Sequence, residues 1–242
     1  DLEYGELTQD VEFYANLARA GDGSILDAGT GTGRIAFGLA RLGFDVTGVD
    51  DCPELLGQAL NRAAQGSLKT PRFLPADLRQ FDLGQRFGTA VLGLNTFAHM
   101  LTGKDQERAL LTLRQHLAPQ GRLAITLENP YLWVTAMPQN EVVFGWTRPG
   151  PGAGERTTMS FATSLDLAAQ RRHLELWYDV AAADGRLRRH QGSFVLRWFY
   201  PAELALLLER SGFAVEQVFG SYDLEPFDGQ SPLQIVIAKP QK

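Results

Sequence analysis

Residues 24–33 read SILDAGTGTG, running from Ser24 through Asp27 to Gly33. The first five make an apolar run of strand length. The alternating glycines after them can turn the chain sharply, because they accept backbone angles closed to other residues. Ile35 to Leu42 follows with helical apolar spacing. A strand that turns through glycines into a helix aims unpaired backbone N–H groups and the positive helix end at whatever sits on the loop. The next strand, Phe44 to Val49, runs into Asp50, whose carboxylate can accept both hydroxyls of a ribose. Loop and acid together point to a nucleoside-containing cofactor.

Working outward, Val11, Tyr14, Ala15 and Ala18 recur at three and four and predict a helix over 8–20, opening at Thr8. Downstream, a helix from Pro53 to about Ala64 is followed by strands at Arg72–Ala76 and Thr89–Leu94. A helix striped by Leu110, Leu113 and Leu117 then leads through Pro119 to a strand at Arg122–Leu127. Short apolar strands alternating with helices predict a mainly parallel sheet covered on both faces. After Glu128 the period changes to two: Met159, Phe161, Thr163 and Leu165, then Leu174, Leu176 and Tyr178, then Phe194, Leu196 and Trp198. Asp184-Gly185 suits a two-residue hairpin turn, so an antiparallel meander is inserted in the α/β domain. From Pro201 a helix and two closing strands, Ala214–Phe219 and Leu233–Ala238, resume the first pattern. No helix fits between those strands, so they form an antiparallel pair. The expected division is 1–128 with 199–242 for the α/β domain and 129–198 for the inserted sheet.

With 242 residues, 44% hydrophobic and 21% charged, the chain has the composition of a folded protein. A net charge of -5 disfavours nucleic acid as a partner. One cysteine, Cys52, cannot close an intrachain disulfide. The acidic, aromatic start DLEYGELTQDVEFY does not resemble an export signal, and no apolar run approaches the ~20 residues that span a bilayer. A cytoplasmic protein without membrane association is expected. His116 fits a helix face and His173 and His190 the hairpin region; no metal-ligand spacing is present, so no metal is expected.

Gly31, Gly33 and Ala36 also fit the dinucleotide pattern G-x-G-x-x-A, which keeps an NAD-dependent oxidoreductase in view. Three features weigh against it. Asp27 at the strand end suits a ligand carrying an ammonium and would repel a pyrophosphate. Asp77 ends the third strand, where an acid can accept from the amine of adenine. The closing antiparallel pair departs from an all-parallel dinucleotide sheet.

Those residues carry a resemblance to the class I S-adenosylmethionine-dependent methyltransferases: DAGTGTG resembles the family's first motif, VTGVD its second, LPADL its third, VLGLNTF its fourth and GRLAITLE its fifth. The resemblance covers about 1–128 and 199–242. It implies a Rossmann-like seven-stranded sheet of order 3214576 with the seventh strand antiparallel, and S-adenosylmethionine as cofactor. It implies that Gly29, Thr30 and Gly31, ahead of Gly33, line the methionine moiety while Asp27 helps hold its ammonium. Asp50 would take the ribose, with Asp51 and Cys52 at the pocket edge. Asp77 and the Leu78 backbone would take the adenine, Leu94 and Asn95 would lie under the sulfonium, and Tyr4 resembles the aromatic that many members fold over the cofactor.

Methyl transfer from a sulfonium needs alignment more than acid–base chemistry. His99, four residues past Asn95, is the candidate base where an acceptor must lose a proton. Asn129-Pro130-Tyr131 resembles the N-P-P-Y motif of amide and base methyltransferases but follows the fifth strand instead of the fourth. Tyr131, Trp133, Trp146 and Arg197 are the candidate acceptor contacts, with Arg171, Arg172, Arg186, Arg188 and Arg189 read as a solvated hairpin face. The expected reaction is methylation of nitrogen or oxygen of a small molecule bound between the glycine-loop edge and the insertion. The rivals are the oxidoreductase and a catalytically silent cofactor-binding scaffold. Oligomeric state stays open, a homodimer included.

Overall fold

The computed structural model describes residues 3–21, 23–66 and 70–241. Two compact units emerge, one of Asp1–Asn129 with Tyr200–Lys242 and one of Pro130–Phe199.

In the larger unit the strands are β1 (Ser24–Ala28), β2 (Asp45–Asp50), β3 (Arg72–Pro75), β4 (Phe87–Leu92) and β5 (Leu117–Glu128), closed by β10 (Phe213–Phe219) and β11 (Leu233–Pro240). Their order is β3-β2-β1-β4-β5-β11-β10. Pairings from β3 to β5 are parallel, and β11 runs antiparallel to both β5 and β10. This is the expected 3214576 order, the last two strands of that scheme being β10 and β11. Every residue of β4 is buried, as is most of β1 and β2, which is why these strands read as continuous apolar runs.

The helices are α1 (Gln9–Arg19), α2 (Arg34–Arg41), α3 (Pro53–Gln65), α4 (Gly103–Gln115) and α6 (Pro201–Arg210), with one 3-10 turn at Thr96–His99. Phe13 and Tyr14 of α1, Ile35 and Leu39 of α2, and Leu56 and Ala59 of α3 bury into one core with Ile25, Val91 and Phe73 of the sheet. At about 25 cal/mol per Å² of apolar area removed from water, such side chains each contribute roughly 1.5–3 kcal/mol.

Strand β4 is shifted two residues ahead of the expected Thr89–Leu94, and the junction of α4 with β5 differs most from the sequence expectation. Leu117 continues the apolar spacing of α4 but is the first residue of β5, opposite Phe87. The helix ends at His116, whose buried ring accepts from the Leu83 amide at Nε2 (3.0 Å) and bonds the Thr112 carbonyl at Nδ1 (2.8 Å), pinning the loop ahead of β4. Strand β5 therefore starts five residues before Arg122 and passes through Pro119.

The smaller unit has the short helix α5 (Pro130–Ala136) and an antiparallel sheet β6-β7-β8-β9, of β6 (Val143–Pro149), β7 (Arg156–Asp166), β8 (Arg171–Ala181) and β9 (Leu187–Arg197). The β8–β9 turn is longer than Asp184-Gly185 alone. The Gly185 amide donates to Ala182 O and the Ala182 amide to Arg186 O, both at 2.9 Å, leaving a three-residue loop with Gly185 at φ +84°. A left-handed glycine in third place is the usual closure of such loops.

Candidate functional site

The ends of β1 and β4 meet at a cavity of about 260 Å³ lined by the glycine loop and by Tyr4, Asp27, Arg34, Ile35, Leu55, Gly93, Leu94 and Thr96, with Asp50 at the end of β2 behind the loop and outside that lining. Its floor comes from the local turn of the chain. Gly29 and Thr30 both donate to Val49 O (2.8 and 2.9 Å), which draws the loop across the end of β2. Gly29 sits at φ +77°, and a Cβ there would meet Thr96 Cγ2 at 2.3 Å, so neither the angle nor the space admits another residue. Gly31 differs: at φ +55° its added Cβ would find only Leu55 Cδ1, at 3.9 Å. The loop is left clear on the cavity side, as a ligand approaching backbone requires.

Asp27 is buried, with its Oδ2 accepting from the Thr30 hydroxyl at 2.7 Å. Burial pushes its pKa up to about 6; the Thr30 bond and the Arg34 charge oppose that rise. A buried carboxyl poised this way is well placed to ionise against a cationic ligand group. Asp50 is held differently. Its Oδ2 accepts from the Gly31 amide (2.7 Å) and its Oδ1 from the Cys52 amide (2.9 Å). A carboxylate has about four acceptor positions, so each oxygen keeps capacity for one more donor, matching the two hydroxyls of a ribose. This donor and acceptor set fits S-adenosylmethionine.

The predicted residues separate into groups. Tyr4, Asp27, Gly29, Thr30, Gly31 and Leu94 line the cavity together. Gly33 caps α2 in a left-handed conformation, and Cys52 caps α3, its thiol 3.4 Å from Glu54 Oε2. Asp51, next to it, is exposed. Leu94 and Asn95 both take positive φ, +44° and +64°. Asn95 is clamped to β5 in that state, its amide donating to Thr126 O (3.0 Å) and its Oδ1 accepting from the Glu128 amide (2.7 Å). Asp77 lies outside the cavity lining and is gripped by Arg79, whose Nε and Nη2 reach its carboxylate at 2.9 and 2.6 Å. Leu78 beside it is buried. His99 ends the 3-10 turn with its surface largely open to solvent; neighbouring protein partly desolvates the ring and lowers its pKa against the opposing charges of Asp51 and Asp50.

In the smaller unit Trp133 is buried edge-to-face against Trp198, while Tyr131 is exposed. Trp146 pairs opposite Met159, itself opposite Tyr178. Tyr178 lies six residues along β8 from Arg172, which stacks on Trp133, so about 20 Å of strand separates the two. Trp133 and Trp146 therefore do not share one small pocket. Arg197 bonds Gln170 Oε1 (3.3 Å) and Trp198 O (3.4 Å) and lies over Phe199. The hairpin arginines are only partly solvated: Arg186, Arg188 and Arg189 are exposed, but Arg172 is buried.

Sequence reasoning missed Arg34 and its partner Asp10. Arg34 is the one cation among the described lining residues. Its Nη1 donates to Leu7 O (2.8 Å) and Asp10 Oδ1 (3.1 Å), and its Nη2 to Asp10 Oδ2. The signal was present as an acid on the core face of a helix, one position before Val11. Among the described residues no cluster of three or more His, Cys, Asp or Glu is placed to hold a metal.

The strand order defines a class of fold, that of the class I S-adenosylmethionine-dependent methyltransferases. Residues 25–121 match the family model described as a methyltransferase domain. Among curated relatives, the glycine/sarcosine N-methyltransferase of Halorhodospira halochloris is 32% identical over 120 residues, 48% of this chain and 44% of that protein. The dTDP-3-amino-3,6-dideoxy-alpha-D-glucopyranose N,N-dimethyltransferase of Streptomyces fradiae is 24% identical over 193 residues, 80% of this chain and 71% of that protein. The chain spans less than half the length of the first curated relatives it matches. Among solved structures, the CcbJ methyltransferase from Streptomyces caelestis shares the fold with a TM-score of 0.80 at 24% identity, over 99% of this chain and 90% of that one.

Proposed function

We propose that this chain is an S-adenosylmethionine-dependent methyltransferase acting on nitrogen or oxygen of a small molecule. The observation that carries the reading is the pairing of a buried Asp27, its pKa raised to about 6, with a diol-ready Asp50 on either side of one glycine loop. Asp27 receives the ammonium of the methionine moiety, and Arg34 faces its carboxylate. Asp50 holds the ribose, with Tyr4 against the cofactor and the clamped Leu94–Asn95 turn at the methyl end. Asp51, Cys52, Asp77 and Leu78 extend the adenosine side. When bound, the cofactor supplies a methyl group on a positively charged sulfur, which leaves the protein the work of aligning the acceptor and excluding water. His99, its pKa lowered, is neutral at pH 7 and able to take a proton from an acceptor. The two curated relatives described above are named as N-methyltransferases, which favours an amine. The unit of 130–199 selects the acceptor, through Trp133 and with Tyr131, Trp146 and Arg197 as further candidates.

No described helix is long and apolar enough to cross a membrane, and the lone cysteine is in keeping with work in the cytoplasm. A homodimer is the assembly to look for. The test is a thermal-shift panel of S-adenosylmethionine, S-adenosylhomocysteine, NAD and NADP. Stabilisation by the first two is expected, and a response to NAD alone overturns the reading. Asp50→Ala removes two charge-assisted hydrogen bonds worth about 1.5–3 kcal/mol each. Calorimetry should then show S-adenosylhomocysteine bound at least about a hundredfold more weakly, and an unchanged dissociation constant contradicts the ribose site.

A further inference from the structure

A second cavity of the larger unit, about 280 Å³, opens at the opposite end of the sheet from the glycine loop. Arg86 and Arg114 both line it, and Leu117, Pro119 and Pro240 give it an apolar wall. Arg86 stands immediately before the first residue of β4, whereas Gly93 and Leu94 of the glycine-loop cavity follow its last, about 20 Å of strand away. The two arginines meet because the start of β4 is tied to the end of α4: the Phe87 amide donates to His116 O (2.8 Å), and Phe87 stands opposite Leu117.

Arg114, in the last turn of α4, is pinned in place, its Nε donating to Gly212 O and its Nη2 to Gln241 O, both at 3.0 Å. Gly212 leaves room for it, since a Cβ there would lie 2.7 Å from that Nε. Both partners are neutral carbonyls, so the side chain is fixed without its charge being cancelled. Arg86 is exposed and makes no hydrogen bond or ion pair with a described residue. No described residue lining this cavity is acidic. Asp82, which shares a neighbouring cavity with Arg86, is turned to the Gly84 amide (2.8 Å) and the His116 ring (3.9 Å). Nor are the guanidinium groups spent on the end of the helix, where cations often serve the last carbonyls. Those of α4 are engaged already: Thr112 O by His116 Nδ1, Leu113 O by the His116 amide and His116 O by the Phe87 amide.

A guanidinium carries five N–H donors in a planar fork and accepts nothing. Two such forks with donors to spare, beside an apolar wall and away from any acid, match a group that is negative and accepts several hydrogen bonds at once. We propose that Arg86 and Arg114 form a binding site, separate from the glycine-loop cavity, for an oxyanion carried on an apolar body. The site does not depend on the methyltransferase reading.

The test titrates the full chain at low ionic strength with phenyl phosphate, benzoate and neutral benzyl alcohol, by calorimetry, with and without saturating S-adenosylhomocysteine. At least one anion should bind saturably and at least tenfold more tightly than the alcohol, equally in both conditions, and the tighter anion assigns phosphate or carboxylate as the group recognised. Arg86→Gln, at an exposed position without contacts, should keep the thermal midpoint and weaken anion binding at least tenfold. Arg114→Gln should weaken it as much, and Arg86→Gln serves alone where the loss of the Gly212 and Gln241 bonds prevents folding. Absence of saturable anion binding, equal binding of the alcohol, displacement by S-adenosylhomocysteine or unchanged affinity in Arg86→Gln each overturns the site. A chain that binds the anions but not S-adenosylhomocysteine overturns the methyltransferase reading and leaves this site standing.

Discussion

At Asp27 the physical chemistry of one side chain sets a pH dependence. Its ordinary pKa of 3.8 is raised to about 6 by burial. Between those values the folded, ligand-free protein keeps a proton that the unfolded chain has released. The group's contribution to stability is therefore full below about pH 4 and lost as pH rises through about 6. A ligand ammonium needs the ionised form, so binding moves the other way. Affinity for S-adenosylhomocysteine should fall up to tenfold per unit as pH drops below about 6. Titration calorimetry across that range reads it, and Asp27→Asn should flatten the profile. At Gly29 the constraint is steric. Gly29→Ala adds positive-φ strain and a clash with Thr96, together about 2–4 kcal/mol of destabilisation in chemical denaturation. Adding Thr96→Ser removes the methyl that is hit, so the double variant should regain the packing part but not the strain. Asp27, Asp50 and the loop glycines were legible because their chemistry depends on local order along the chain. Arg34 was not, because its meaning lies in an acid 24 residues earlier.

Among the elements, α1 and α2 are joined by that ion pair, Asp10 being fully buried. Removing one member strands a buried charge, so Arg34→Met should destabilise by about 3–5 kcal/mol in urea denaturation, while Arg34→Met with Asp10→Leu should return close to the unaltered chain. Full additivity of the two single losses would show that the charges do not act as a pair. The turn after β4 is held in the same way by contacts distant in sequence, the Asn95 amide and side chain both bonding β5. Helix and strand identities followed from apolar period. Their ends did not, since Leu117 keeps helical spacing while the His116 bonds stop the helix. Likewise Asp184-Gly185 signalled a hairpin, but the closing hydrogen bonds at Ala182 set its loop length.

For the molecule as a whole, the described lining of the glycine-loop cavity comes entirely from the larger unit. Hydrogen exchange with saturating S-adenosylhomocysteine should therefore show added protection at 27–34, 50–52 and 93–96. The edge strands β6 and β9 should be unchanged, and protection gained mainly there would contradict the assigned cavity. The alternation of strands with helices and the inserted sheet were determined by the sequence itself, while the strand order was implied by the family resemblance. Burial on both faces writes continuous apolar runs, burial on one face writes alternation, and a phosphate- or methionine-sized ligand demands glycine where the backbone must come close. Only the tertiary structure decided which charged groups are buried and with whom. Period-two spacing puts Arg172 and Arg188 on one face of the meander, yet one stacks on Trp133 and the other meets Glu155 at the surface. Burial is a property of what packs against a residue, and the chain carries no local record of that.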